Sequence, residues 1–413
     1  MQRNFLVPVI LISALFAWLA FLPQIARADS ATLNVDVTLD SNAPAYQVCT
    51  DAVGDCSLRG AISHANANPG TDFTILVPSG TYTLTISGDE EENNATGDLD
   101  IRVSLVLQGS GIDSTFLQAG TAKGDGLDRV LHVPGSEIIA IQISRLTIQH
   151  GEIKDDKHGA GMNINNNSAS VVLTQVKFKD NVGEGYSSGA GLSTTAYTQV
   201  TDCIFTGNEN GGEGGGVYQA LNSITFDRTT FMNNKAQYGG GFANQGPAEM
   251  TNVTISGNTA STAGGGISQW NQGNLTLRYT TIANNSAPSG SGMQNVRTVN
   301  AYNSILVAPV GKKVCTSSIS AGGFNLGSDN SCDGSILIAD PLLGPLQDNG
   351  GYTWTHAIPF SSPAVDAADP GDCFPEDQRW KPRPIDGNGD GTAACDIGAY
   401  EVMLMLFMPM VGK

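Results

Sequence analysis

One pattern recurs every 24 to 30 residues between Gly159 and Asn285, and it restricts the possible folds more than any other feature of the 413-residue chain. Its first half is a glycine-rich stretch before an apolar residue: Gly159-Ala160-Gly161-Met162, Gly189-Ala190-Gly191-Leu192, Gly214-Gly215-Gly216-Val217, Gly239-Gly240-Gly241-Phe242 and Gly264-Gly265-Gly266-Ile267. Its second half places Phe178, Phe205, Phe231, Ile255 and Ile282 three residues ahead of Asn181, Asn208, Asn234, Asn258 and Asn285. A fixed period of this length marks a solenoid, in which each repeat buries its apolar side only against its neighbours.

The residues between these landmarks say which kind of solenoid. Five positions before each Phe or Ile stand Leu173, Val200, Phe226, Met250 and Leu277; two before stand Val176, Cys203, Thr229, Val253 and Thr280. Apolar or β-branched residues at alternating positions give the period of a strand with one buried face. Spacers rich in Gly and Asn forbid the long 3.6-period runs of a helical repeat. The expectation is therefore an all-β stack of parallel coils with equivalent residues directly above one another. In such a stack a column of buried asparagines satisfies polar groups that one isolated Asn leaves costly, and the glycines serve bends that need φ > 0 and close backbone approach.

The alternation of Gly-Gly-x-apolar with Phe-x-x-Asn resembles the repeats of the polymorphic outer-membrane protein family. That resemblance implies a single-stranded right-handed parallel β-helix of the pectin-lyase type, and it implies no one activity, because the scaffold carries lyases, hydrolases, adhesins and spacers. Cys56-Ser57-Leu58-Arg59-Gly60-Ala61-Ile62 resembles the Cys-Ser-Leu-Arg-Glu-Ala-Ile segment that opens many secreted bacterial β-helix proteins, with Gly60 where that family has glutamate. Leu58, Ile62 and Ala65 fall on one side of a helix with Ser57 as N-cap, so the segment reads as a lid on the open end of the apolar column, Arg59 and His64 included. Ala339–Gly351, Ser362–Ala367, Asp377-Gln378-Arg379 and Asp396–Glu401 resemble the C-terminal region that precedes varied anchoring tails in the same class, which implies export and surface display.

The expected organisation is a signal peptide over 1–28, an N-terminal cap with first strands over 29–98, coils over 99–310, an irregular C-terminal cap or anchor-associated region over 311–401 and an apolar tail over 402–413. Arg3, the apolar run to Leu22 and Ala26-Arg27-Ala28 read as a cleavable leader or a retained N-terminal anchor. The tail is shorter than the about 20 residues that span a bilayer; it reads as a last strand over the solenoid's end or as a sorting signal.

Formal charge is −18, and −20 without the leader's two arginines, which argues against nucleic acid and anionic membrane surfaces as partners. Membrane contact is expected at most through the termini, and the chain is expected to be a monomer. Export permits disulfides, and the order of the cysteines pairs Cys49 with Cys56, Cys315 with Cys332 and Cys373 with Cys395. Cys203 is left over as a buried apolar filler.

Asp386-Gly387-Asn388-Gly389-Asp390-Gly391 offers oxygens at positions 1, 3 and 5 of a calcium-type loop, so a structural calcium held by Asp386, Asn388, Asp390 and Asp396 is expected. The stretch from Asp89 to Asp100 reads as an acidic excursion into solvent. No stacked column supplies two carboxylates: Asp202 lies beside Arg228 as an exposed ion pair, Glu209 beside Lys235, and Glu152, Asp155, Asp156, His158, Glu184 and Glu213 sit in loops. The expected role is adhesion, envelope contact or contact with a polysaccharide or host surface, without catalysis, outside the cell or at the outer membrane. The alternative is a polysaccharide lyase or glycoside hydrolase of the same fold.

Overall fold

The computed structural model describes residues 29–88, 91–154, 157–270 and 273–403. The leader, Asp89, Glu90, Asp155, Asp156 and the tail from 404 lie outside the described residues.

The chain winds as a right-handed parallel β-helix. A representative coil starts at Val217–Gln219, crosses to Ile224–Asp227, bends at Arg228 into Thr230–Met232, bends again at Asn233 into Lys235–Tyr238 and returns through Gly239-Gly240-Gly241. Stacked coils build one large sheet with a bent cross-section, an eight-stranded sheet after the glycines and a five-stranded sheet before them. Register is strict, with Leu173 over Val200, Phe226, Met250 and Leu277, and Met162 over Leu192, Val217, Phe242, Ile267 and Met293. Stacking begins before the glycine motifs, since Ile141, Ile143, Leu146 and Ile148 pair with Val171, Leu173, Val176 and Phe178.

Core packing follows from that register. The rings of Phe178, Phe205 and Phe231 lie parallel at 4.8 and 4.9 Å, the spacing of neighbouring strands. Beside them the asparagines form a continuous ladder. Asn181 Nδ2 donates to Asn208 Oδ1, Asn208 to Asn234, Asn234 to Asn258 and Asn258 to Asn285, each at 2.9 Å. Each ladder Oδ1 also takes the backbone N–H of the Asn one coil earlier. The glycines do the work expected of them: Gly214 has φ +70°, and a Cβ on Gly215 falls 2.4 Å from the carbonyl of Gly240 in the next coil.

Two bends rely on left-handed residues, the first of them without any glycine. The column Arg145, Gln175, Asp202, Arg228, Asn252, Tyr279 and Asn303 has φ between 47° and 59° throughout, and the residue before each ladder Asn is left-handed as well. One αL residue turns the strand without interrupting the hydrogen bonds on either side.

At the N-terminal end Asp29–Asn34 is the first strand, pairing with Thr71–Val77. The helix Leu58–Asn66 caps the core: Ser57 Oγ accepts from Gly60 N at 2.9 Å, and Leu58, Ile62 and Ala65 are buried. A side chain at Gly60 has no room, since its Cβ falls 1.9 Å from Tyr46 O, which accounts for glycine at this position. The coils also run past Val310. Ser320–Ala321, Leu326–Gly327 and Leu337–Ile338 add parallel strands by backbone pairing alone, without the repeat motif that marked the earlier coils.

The three disulfides are those expected: Cys49–Cys56, Cys315–Cys332 and Cys373–Cys395. Cys203 is free and fully buried, its thiol pushed up to about 12 by burial. Residues 340–402, the later part of the region expected over 311–401 with the first residue of the tail, lie along the side of the coils. Ile358, Ala364, Val365, Ile397 and Val402 pack on the outward-facing Tyr279, Ile305 and Leu326. No helix among the described residues is long and apolar enough to cross a membrane.

Candidate functional site

The flank covered by the C-terminal region carries the densest chemistry. On the bent sheet the outward positions read Gln199, Thr225, Glu249 and Thr276 in one column and Thr201, Asp227, Thr251 and Arg278 in the next. The left-handed bend then turns Asp202, Arg228 and Asn252 outward beside them. Against this column the C-terminal region lays Asp372 to Trp380.

Gln378 locks that segment down. Its Nε2 reaches Thr230 Oγ1 and Thr353 Oγ1 at 2.9 Å each, and its Oε1 accepts from Thr254 Oγ1 at 2.6 Å. His356 Nε2 meets Ser256 Oγ at 2.9 Å, and Arg278 pairs with Asp372 at 2.6 Å. Burial of these polar groups is tolerated because each finds a partner on the coil.

Between segment and coils lies a cleft of about 270 Å³, floored by Thr225, Asp227, Arg228, Glu249, Thr251 and Asn252 and walled by Phe374, Pro375 and Glu376. Three carboxylates thus line one cleft, with a fourth, Asp202, adjoining it. Arg228 is held between Asp202, at 3.1 Å, and Asp227, with Trp380 beneath its guanidinium at 3.8 Å. The indole N–H of Trp380 donates to Asp202 at 3.1 Å. The Asp202–Arg228 pair is therefore buried, not exposed as the sequence suggested, because Trp380 covers it.

Burial pushes Asp227 above the ordinary carboxylate range, Arg228 opposes this, and Asp202 and Glu376 add to it. Asp202 is raised for the same first reason, against Arg228 and the Trp380 N–H and with Glu376. Asn252 donates to Glu376 O at 3.1 Å, while its Oδ1 is buried without a hydrogen-bond partner. Asp227 and Glu249 sit diagonally on adjacent strands, about 8 Å apart at Cα from the strand spacing and rise. Several carboxylates, Asp202 and Asp227 among them raised, around an open groove of hydroxyl and amide groups can hold a sugar's hydroxyls and can divide acid and base roles.

The loop groups named from sequence lie elsewhere. Glu152 pairs with Lys154 at 3.0 Å, and Glu184 is exposed. His158, Ser188, Glu213 and Tyr238 form a parallel column, with His158 stacked on Tyr218 and Gln245 donating to Glu213 at 2.9 Å. Glu209 does pair with Lys235, at 3.8 Å, and also with Lys123, at 3.0 Å.

Of the expected calcium ligands, Asp386, Asn388 and Asp390 lie in one run of turns. Asp386 accepts from the backbone N–H of Gly389 and Gly391, Asn388 from Asp390 and Asp390 from Thr392. Asp396 is turned into the core, accepting from Asp366 N and Val402 N at 2.8 and 2.6 Å. The three loop residues make consecutive turns, and Asp396 is a buried anchor.

Among the described residues the one gathering of metal-type ligands is Asp98, Asp100 and His132, all buried. Asp98 and Asp100 thus leave the solvated loop assigned to them from sequence. No column count finds either cluster, because Glu376 arrives from 124 residues beyond Asn252 and Asp98 turns inward on a loop.

No protein-family profile and no curated protein matches the chain. Among solved structures, pectate lyase Pel9A superposes with a TM-score of 0.51 at 12% identity, over 91% of this chain and 97% of its own. At that identity the likeness is one of fold.

Proposed function

We propose that this is an exported, surface-displayed β-helix whose flank cleft holds a neutral polysaccharide, acting as an adhesion or envelope-contact scaffold. The observation that supports this above the rest is the cleft between the Asp372–Trp380 segment and the coils. It offers threonine hydroxyls, an arginine braced on a tryptophan, and in Asn252 Oδ1 a buried acceptor with no partner. A sugar hydroxyl satisfies such an acceptor, and leaving it bare costs about 1–3 kcal/mol. Asp202, Asp227, Glu249 and Glu376 stand against Arg228 and Arg278, on a chain of net charge −18. That balance repels a polyuronate and favours a neutral or amino-substituted glycan.

A second reading, hydrolysis of the bound glycan, rests on the raised Asp202 and Asp227 beside Glu376. One carboxyl can keep its proton as general acid while a neighbour is ionised as base. The pectate lyase likeness in fold is compatible with either reading.

Calorimetry with neutral, amino-sugar and uronate oligosaccharides, run alongside an assay for new reducing or unsaturated ends, tests both. Binding of neutral or amino glycans without new ends supports the scaffold. New reducing ends that vanish in Asp227→Asn replace it with the hydrolase, and failure to bind any glycan sinks both. Cell fractionation checks the proposed location.

A further inference from the structure

The acidic stretch before the second sheet folds into something more specific than a solvated loop. Leu99–Asp100 pairs in parallel with Leu131–Val133, and the register sets Asp100 directly beside His132. Leu131 and Val133 point into the core, so His132 points out of it, yet it is only 5% exposed. Asp98 and Asp100 are 4% and 0% exposed. His132 Nδ1 lies 3.1 Å from Asp100 Oδ1 and 4.0 Å from Asp98 Oδ2.

Two further facts bear on what this arrangement is for. The ring presents Nδ1 to both carboxylates, while Nε2, on the far side of the ring, is buried without a hydrogen-bond partner. Asp100 is held by its other oxygen, Oδ2, which accepts from Asn94 N at 3.0 Å, and Arg129 Nε fixes Asp98 Oδ2 at 3.2 Å. Arg59 of the cap helix pins the same loop by its backbone, donating to Asp98 O at 2.8 Å and Gly97 O at 2.7 Å. Three buried ligand-type atoms within 4.8 Å of one another, with their side chains fixed by neighbouring groups, form the pattern of a metal centre.

We propose that Asp98, Asp100 and His132 bind one divalent first-row transition ion of the zinc or manganese type. Ligands about 2.1 Å from a tetrahedral ion stand about 3.4 Å from one another, and the observed 3.1 and 4.0 Å straddle that value. An imidazole ligand selects against calcium and magnesium, which take oxygen ligands. Three protein ligands leave a fourth position for water, and because the site is buried its role is structural. The ion ties the cap helix, through Arg59 and the loop, to the first strands of the second sheet.

The test uses the full secreted chain after chelation and dialysis, titrated separately with Zn²⁺, Mn²⁺, Co²⁺ and Ca²⁺. Expected are one equivalent of Zn²⁺ or Mn²⁺ by elemental analysis, a higher melting temperature, and for Co²⁺ the intense visible bands of a four-coordinate site. His132→Gln is expected to weaken binding at least tenfold, while Asp386→Asn with Asp390→Asn leaves it unchanged. Failure of the folded wild-type chain to take up Zn²⁺ or Mn²⁺ overturns the assignment. So does binding that survives His132→Gln, or that disappears with the Asp386 and Asp390 substitutions. If His132→Gln does not fold, the Co²⁺ spectrum of the wild type decides alone: absence of four-coordinate bands overturns the proposal.

Discussion

Replacing Asn234 by alanine tests the polar ladder at its centre. Its side chain makes four hydrogen bonds: Nδ2 donates to Asn258 Oδ1 and Phe205 O at 2.9 Å each, and Oδ1 accepts from Asn208 Nδ2 at 2.9 Å and Asn208 N at 3.1 Å. Asn258 Oδ1 keeps the backbone N–H of residue 234 at 3.0 Å, and Asn208 Nδ2 keeps Phe178 O at 3.0 Å. The Asn208 backbone N–H loses its partner in a site that is 0% exposed. One orphaned buried donor costs about 1–3 kcal/mol, and the three remaining lost bonds about 1 kcal/mol each, so Asn234→Ala should destabilise by roughly 4–6 kcal/mol. Glu209→Ala, which removes exposed ion pairs one coil away, should cost under about 1 kcal/mol. Urea unfolding followed by far-UV circular dichroism gives both values. Hydrogen exchange at the Asn208 amide should accelerate in the alanine variant. Because the two residues share bonds, Asn208→Ala with Asn234→Ala should cost less than the sum of the singles. A loss below about 1 kcal/mol, or strict additivity, would refute the view that the column acts as one network.

Gln378→Ala should loosen the flank segment, seen as faster limited proteolysis between residues 340 and 380 with the coils still folded by circular dichroism; unchanged proteolysis counts against the anchoring role. Asp227 has a folded-state pKa above its unfolded one, so the folded form binds that proton more tightly and the group's stabilisation is present at low pH and lost as pH rises through the raised value. Asp227→Asn should therefore flatten the decline in stability as pH rises from about 4, measured by melting temperature. Cys203 should resist alkylation in the native protein and react on unfolding, which mass spectrometry after iodoacetamide treatment reads directly.

The periodicity of Phe178, Phe205 and Phe231, the glycine triplets and the asparagine column determined the fold from the chain alone. Each is a local rule repeated until only parallel stacking satisfies it, and the register of the coils follows with it. Cysteine order likewise paired the three bridges, each closing a short segment. What repetition does not encode had to come from the tertiary structure. Asp202 with Arg228 looked exposed because nothing near them in sequence announces Trp380, which folds back over them from 178 residues away. Glu376 joins Asp227 and Glu249 only because Gln378 fastens a non-repeating segment to the threonines of the coils. Asp98 and Asp100 read as solvated because charge in a loop is satisfied by water until a partner is supplied, and His132 supplies it across a strand pairing. The columns within the solenoid are one-dimensional and can be counted along the sequence, whereas the cleft and the buried Asp-His cluster depend on where loops and the C-terminal region come to rest against them.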